Sequence, residues 1–376
     1  MTPDSSGSSE VEARFFDPLD DELPLSAWQA LGDAAADPNP FFGPSFLRPY
    51  LRHMGVRRVK VLAVEDRSTG QWLVAAPIQI RPAGLLVPIP AAFTTDYGPV
   101  GTPLLHPATV AAHAKRFYEA AAGRTGVLLL PDLPLASKAA KLLMDLDGVT
   151  GVVTGRSERA SHDGGPEGQV QFDEAFKGKR RKEMKRLLRR LEDEGAVSLV
   201  TVEGGAVTDR FEAFLALEAS GWKGRENTAL VSKPQTAAFS RETVVAAASA
   251  GHVRIDELLV GGKLIASLVA FVEGGHVFAW KIAFDESYAR YSPGAQLVLD
   301  TFQKNLATPG FRLADSLAVP GHSMIEPLWR GRLETGTLLL SSGPLAALRN
   351  GICSADLGFE QTVRQMARTI RNRLKS

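Results

Sequence analysis

One cysteine, Cys353, occurs in 376 residues, so an internal disulfide framework and a cysteine-based metal site are both excluded. With no histidine near it in sequence, Cys353 reads as a structural thiol rather than a nucleophile. The seven histidines show no HxH or HxxxH spacing, so no metal site is legible. A surplus of charge is missing too: 43 Lys and Arg stand against 42 Asp and Glu, a net +1. Global charge therefore argues neither for nucleic acid nor for a membrane; only local clusters can. No apolar run approaches the ~18 residues that span a bilayer. The longest, AGLLVPIPAAF at 83–93, is short and broken by prolines. The opening MTPDSSGSSEVEAR lacks the basic and apolar regions of a secretory signal, so a cytoplasmic protein with a disordered tail over residues 1–12 is expected.

What is present is the composition of a globular protein, 44% apolar and 23% charged, in a chain too long for one ordinary core. Two domains are expected. Helices are read at LSAWQALGDAAAD (25–37, with Ser26 as N-cap), SFLRPYLRHMG (45–55), 107–123 and 136–146. A hairpin is read at 59–80, and strands at 126–133 and 149–155. Residues 156–168, RSERASHDGGPEG, have the composition of a linker. Then Met184, Leu187, Leu188 and Leu191 mark one face of a helix whose remainder carries nine Lys or Arg between 177 and 190. A strand at 196–204 and two helices follow, the first capped by Thr208 or Asp209. HVRIDELLV, GG, KLIASLVAFV, EGG, HVFAWKIAF (252–284) is a three-stranded antiparallel meander with glycine turns. After it come the turn YARYSPG, a helix over 294–307, strands at 311–319 and 334–341, and a helical end. The hairpin at 59–80 resembles the one at 254–272, a hint of internal duplication.

A turn opening on to a helix can simply be a turn, with Pro293 near the first helical position. It can also hold an anion, because a helix N-terminus offers unpaired N–H donors and the positive end of the dipole. Four stretches decide how it is read here: KRRKEMKRLLRRLEDEG, GWKGRENTAL (221–230), FAWKIAFDESYARYSPGAQLVLD (278–300) and LADSLAVPGHSMIEPLWRGR (313–332). With the order of elements around them, they resemble the Gcn5-related N-acetyltransferase (GNAT) fold. More narrowly, the whole chain is similar to the FemAB-like, cellulose-biosynthesis-associated acetyltransferases, which are built of two such modules. The resemblance implies an α/β (α+β) chain of two GNAT-like modules, each a mixed, mostly antiparallel sheet flanked by helices. They would lie at 13–160 and 165–345, with a C-terminal helical segment over 346–376.

The resemblance also implies an acyl-CoA substrate and no metal. The acyl-CoA would be held by Ile282, Ala283 and Phe284 on a strand that splays from its neighbour, and by Ser292, Gly294, Ala295 and Gln296 at the turn. Aligned on Gly294, the Q/R-x-x-G-x-G/A pattern has Tyr291 at its first position and Gln296 at its last, and Pro293 removes one donor. For catalysis the candidates are Asp285, Asp315, His322 and Tyr291, with Tyr288 beside them. Each has a structural alternative: a turn aspartate, an ion pair inside a strand, a solvated histidine, a packing tyrosine. Trp222, Lys223, Lys281 and Trp329, flanked by Arg225 and Arg330, are candidates for binding a small-molecule or saccharide acceptor. Three functions stay open: an acyl-CoA-dependent N- or O-acyltransferase, a Fem-like aminoacyl-tRNA-dependent transferase with the basic helix on RNA, and a non-catalytic assembly protein that keeps the fold. No aromatics interleave the cations of that helix, which argues against base stacking.

Overall fold

The computed structural model describes residues 11–375. In chain order the first elements are β1 (Val11–Phe16), α1 (Leu25–Ala34), α2 (Pro44–His53), β2 (Lys60–Asp66), β3 (Trp72–Pro82), β4 (Pro88–Ala92) and β5 (Leu104–Leu105). There follow α3 (Ala111–Ala122), β6 (Val127–Pro134), α4 (Lys138–Met144), β7 (Val149–Asp163), α5 (Gly165–Ala175), α6 (Gly178–Glu192) and β8 (Val197–Glu203). The remainder is α7 (Val207–Ser220), α8 (Trp222–Arg225), α9 (Pro234–Ser249), β9 (Val253–Val260), β10 (Lys263–Glu273), β11 (His276–Phe284), α10 (Pro293–Ala307), β12 (Leu313–Asp315), β13 (Gly331–Ser342) and α11 (Ala346–Lys375). No helix among the described residues is long and apolar enough to cross a membrane.

The chain divides into two compact units. The first takes the residues up to Pro44, Arg57–Arg156 and everything from Glu334; the second takes Ser45–Val56 and Ser157–Leu333. Each is a mostly antiparallel sheet with helices packed on it, and each has one parallel pair: β4 with β6 at Ala91↔Leu129, and β11 with β12. Most of the expected tail, residues 1–10, lies outside the described residues. Val11 and Glu12 do not belong to a tail, because they open β1 and pair with Asp66 and Glu65 of β2.

In the first unit strands β1, β2, β3, β4 and β6 lie in that order, and β13 follows β6. The long C-terminal helix is part of this unit rather than a separate segment. Ala346, Asn350, Cys353 and Leu357 recur at helical spacing and are buried, and Cys353 and Leu357 pack with Ile89, Val127 and Leu339. Between them Asp356 accepts the backbone N–H groups of Gly84, Leu85, Leu86 and Val87 at 2.9–3.1 Å, holding the β3–β4 turn. Burial pushes this carboxyl up, but the four donors outweigh it and bring its pKa down to about 2. Asp356→Ala leaves four amides without their acceptor and is expected to cost about 2 kcal/mol, read as a lowered denaturation midpoint with an unchanged slope.

In the second unit the order is β7, β12, β11, β10, β9, β8. Residues 156–168 are not a linker: they finish strand β7 and begin α5. The meander is as its sequence predicts, with both central residues of the β9–β10 turn, Gly261 and Gly262, at positive φ, as a tight right-twisted hairpin requires. Met184, Leu187 and Leu191 of α6 bury their face on a core of Leu258, Ile265, Leu268, Leu297, Phe302 and Trp329. Helix α2 packs here through Phe46 and Tyr50 on Phe239, and through Arg52 and His53 on Glu242. The expected caps differ in detail: α1 starts after Pro24 and α7 after Ala206, neither with a side-chain cap, so Ser26, Thr208 and Asp209 do not cap these helices.

Candidate functional site

Strand β11 runs between β10 and β12 but stays with the latter for three residues only, His276↔Leu313, Val277↔Ala314 and Phe278↔Asp315. On the other side it pairs with β10 all the way to Phe284↔Ala266. Residues 279–284 therefore present one backbone edge with no strand beside it. The Asp285 amide donates to Ile265 O in β10, so by alternation the polar groups of Ile282 and Phe284 face the open side. The Ile282 carbonyl there accepts the Lys223 ammonium at 3.0 Å.

The chain then makes two turns of 3₁₀ helix over Glu286–Tyr291, and Ser292 takes the left-handed conformation (φ 53°, ψ 52°) before α10. Gln296 N closes on Ser292 O, Pro293 has no N–H, and no side chain caps the helix. This leaves the Gly294 and Ala295 amides as the free donors of the first turn. The open edge and this helix end bound one cavity of about 640 Å³. Its other walls are Arg180 and Met184 of α6, Leu217 and Glu218 of α7, Trp222 and Lys223 of α8, Glu286, and the loop from His322 to Leu328.

Both carboxylates of the cavity are paired with cations, and Arg180 donates to the Ala175 and Pro327 carbonyls. Glu218 is 3% exposed; it accepts Lys223 Nζ at 2.8 Å and the Leu230 amide at 2.8 Å. Glu286 accepts Arg225 and the Trp222 amide, and those bonds, the arginine's first, hold its carboxyl below the usual range. Among the described residues His322 Nδ1 is buried with no hydrogen-bond partner. Buried polar nitrogens ordinarily have such a partner.

Of the residues picked out in the sequence, Ile282, Ala283, Phe284, Ser292, Gly294, Ala295, Trp222, Lys223 and His322 line this cavity. Six others do not. Asp285 is engaged elsewhere: burial pushes its carboxyl up, but Lys263 and Ser287 outweigh that and hold it low. Asp315 is 2% exposed and faces Arg159 at 3.3 Å, away from the cavity wall; burial raises its carboxyl and the Arg159 charge opposes that. Tyr291 is buried and gives its hydroxyl to Glu194. Gln296 is buried and donates to Met184 O, tying α10 to α6. Trp329 is fully buried, edge-on to His162, where no acceptor can reach it. Lys281 lies over the Trp280 ring, its ammonium 5.8 Å from the centroid.

Glu218, Glu286 and Arg180 escaped the sequence reading. Glu218 had a signal: with Phe211, Phe214 and Leu215 it completes the apolar stripe of α7, where a carboxylate needs a buried partner. Glu286 had none beyond its turn.

In the first unit the corresponding edge is covered. Beyond its parallel pair, the chain from Thr94 to Thr102 folds back on β6. Gly101 N donates to Asp132 O, and a Cβ on Gly101 would sit 1.8 Å from Pro131 O. The loop fills the place that stays open in the second unit.

A mixed sheet whose parallel pair opens on to a helix N-terminus forms the second unit. Residues 178–320 match the model of the acetyltransferase (GNAT) domain family. The fold is similar to that of FemX, with TM-score 0.55 and 7% identity over 91% of this chain and 100% of that one. It is similar to the C-terminal domain assigned to a lysylphosphatidylglycerol synthetase of Agrobacterium fabrum (0.53, 15%, 86% and 94%). A conserved protein of unknown function from Bacteroides thetaiotaomicron is also similar (0.51, 13%, 88% and 100%). No curated protein sequence matches the chain.

Proposed function

We infer that the second unit is an acyl-CoA-dependent N- or O-acyltransferase that acts by direct transfer on a small-molecule or saccharide acceptor. One observation carries this reading: the open edge of β11, the uncapped start of α10 and His322 meet in one cavity. The acyl-CoA pantetheine would run along Ile282–Phe284, and its pyrophosphate would take the Gly294 and Ala295 amides. The acceptor would enter past Trp222, which is half exposed. Its nucleophile attacks the thioester carbonyl and gives its proton to His322 Nδ1; the carbon–sulfur bond breaks and the sulfur leaves as thiolate. Lys223, held by Glu218 and Ile282 O, fixes the strand edge where the thioester lies.

Calorimetric titration with CoA and acetyl-CoA tests the donor: one equivalent bound is expected, and no binding by the wild type sinks the reading. A thiol-release assay against a panel of amines and saccharides then tests the base. His322→Ala should lower the rate about 100-fold or more, with CoA affinity changed less than threefold.

The exposed cations of α6 favour a second reading, in which the donor is aminoacyl-tRNA and that helix grips its phosphates. Salt-sensitive tRNA binding, with none to CoA, would select it.

A further inference from the structure

The turn before α10 offers an anion two free amides but no free positive charge. Its own arginine, Arg290, is taken by Glu194 at 2.8 Å, and nearby Lys263 is taken by Asp285 at 2.7 Å. Across the cavity Lys223 is held by Glu218 and Arg225 by Glu286. Two neutral donors do not balance a group with two negative charges, such as the pyrophosphate of an acyl-CoA. The balancing cation has to come from outside the turn.

Helix α6 carries one in position. Arg180 lies one turn before Met184, on the same stripe as the buried Met184, Leu187 and Leu191, and of the nine Lys and Arg in this stretch it is the one that lines the cavity. Its Nη1 donates to Ala175 O at 3.2 Å and to Pro327 O at 2.9 Å, which fixes the side chain without neutralising it. Among the described residues no carboxylate pairs with it, and the residue is exposed, so Nε and Nη2 can reach a ligand. Two contacts set Arg180 beside the turn. Gln296, in the first turn of α10, donates to Met184 O. Met324 stands against Gly294, and Pro327, three residues on, accepts from Arg180. We propose that Arg180 supplies the positive charge for the acyl-CoA pyrophosphate while the Gly294 and Ala295 amides fix its oxygens; this rests on acyl-CoA being the donor. A guanidinium suits the task, because it gives two parallel N–H bonds to one phosphate and does not lose its charge.

The test is calorimetric titration of the full chain with CoA and with 3′-dephospho-CoA, which keeps the pyrophosphate and lacks the remaining phosphate. Arg180→Gln should weaken both about tenfold or more, and by the same factor. Arg180→Lys keeps the charge and should recover part of the loss. Lys182→Gln removes the same charge from the opposite face of α6 and should leave both affinities within about threefold. The gap between wild type and Arg180→Gln should narrow as salt rises, which a loosened loop at Pro327 would not produce. Denaturation midpoints check that the variants fold. No CoA binding by the wild type overturns the donor reading and this inference with it. If the wild type binds and Arg180→Gln stays within about threefold, this inference alone falls. It falls as well if only CoA loses affinity, for then Arg180 serves the 3′-phosphate, or if Lys182→Gln costs as much, for then the helix attracts CoA by its charge as a whole.

Discussion

Glutamate at position 294 should abolish CoA binding, weakening it by more than 100-fold while the protein keeps its denaturation midpoint. The reason lies in the space around this glycine. A Cβ here would stand 2.8 Å from Met324 Sδ and 3.6 Å from Phe284 Cδ1, both walls of the cavity. Met324 is a flexible side chain and can give way, so alanine should cost only a few-fold in affinity. Glutamate is different, because it carries a negative charge to the end of α10 where two free amides face the cavity. It would take those donors for itself and repel the pyrophosphate. A carboxylate in the first turn suits a helix, so fold stability should not suffer. Calorimetry on the wild type, Gly294→Ala and Gly294→Glu checks this order. If the glutamate variant binds within threefold of the wild type, the turn does not hold the anion.

The second large effect is on stability against pH. His162 is fully buried, stacked 3.7 Å from the Phe302 ring, with Nε2 3.0 Å from Asn305 Nδ2. Burial lowers its pKa to about 3, with the Arg254 charge adding to the shift. In the unfolded chain it takes up a proton near pH 6.5, while the folded protein holds it neutral. Stability from this residue is therefore whole above pH 6.5 and is lost progressively as pH falls toward 3. Between pH 7 and pH 5 the loss should be about 2 kcal/mol. Guanidinium titrations at the two pH values read it directly. His162→Phe should be weaker at pH 7, because Asn305 loses its partner, yet show a much flatter pH dependence. An equal slope in both proteins would mean that some other group titrates.

Much of this was written locally. The meander, the turn and the start of α10 follow from alternation, paired glycines and a proline. Met184, Leu187 and Leu191 follow from helical period, and the cavity residues from Ile282 to Ala295 are read from strand and turn together. What was not legible depended on partners distant in sequence. RSERASHD looks like a linker because it is polar, yet Arg159 and His162 are inside, where Arg159 faces Asp315 and His162 meets Asn305. Asp315 itself looks like a candidate base until Arg159 appears beside it. Trp329 looks like a saccharide platform, but its burial comes from β7 and α10, far away in the chain. Glu218 has the converse history, hidden in an apolar stripe until Lys223 and the open edge of β11 give it a place.

The interleaving of the two units has a consequence for how the protein is made. Translation delivers β1 to β6 first, but their sheet gains β13 only from residues after Glu334. The second unit, by contrast, has all its residues once Leu333 has been joined. The half that leaves the ribosome first is thus the last to be finished, and its sheet must wait at β6 while about two hundred residues are synthesised, some ten to forty seconds at bacterial and eukaryotic rates. Until then Leu128, Leu129 and Leu130 lack the strand that will pair with them. That interval is where a chaperone would act, and a stop codon before β13 would leave the first unit without its last strand and α11.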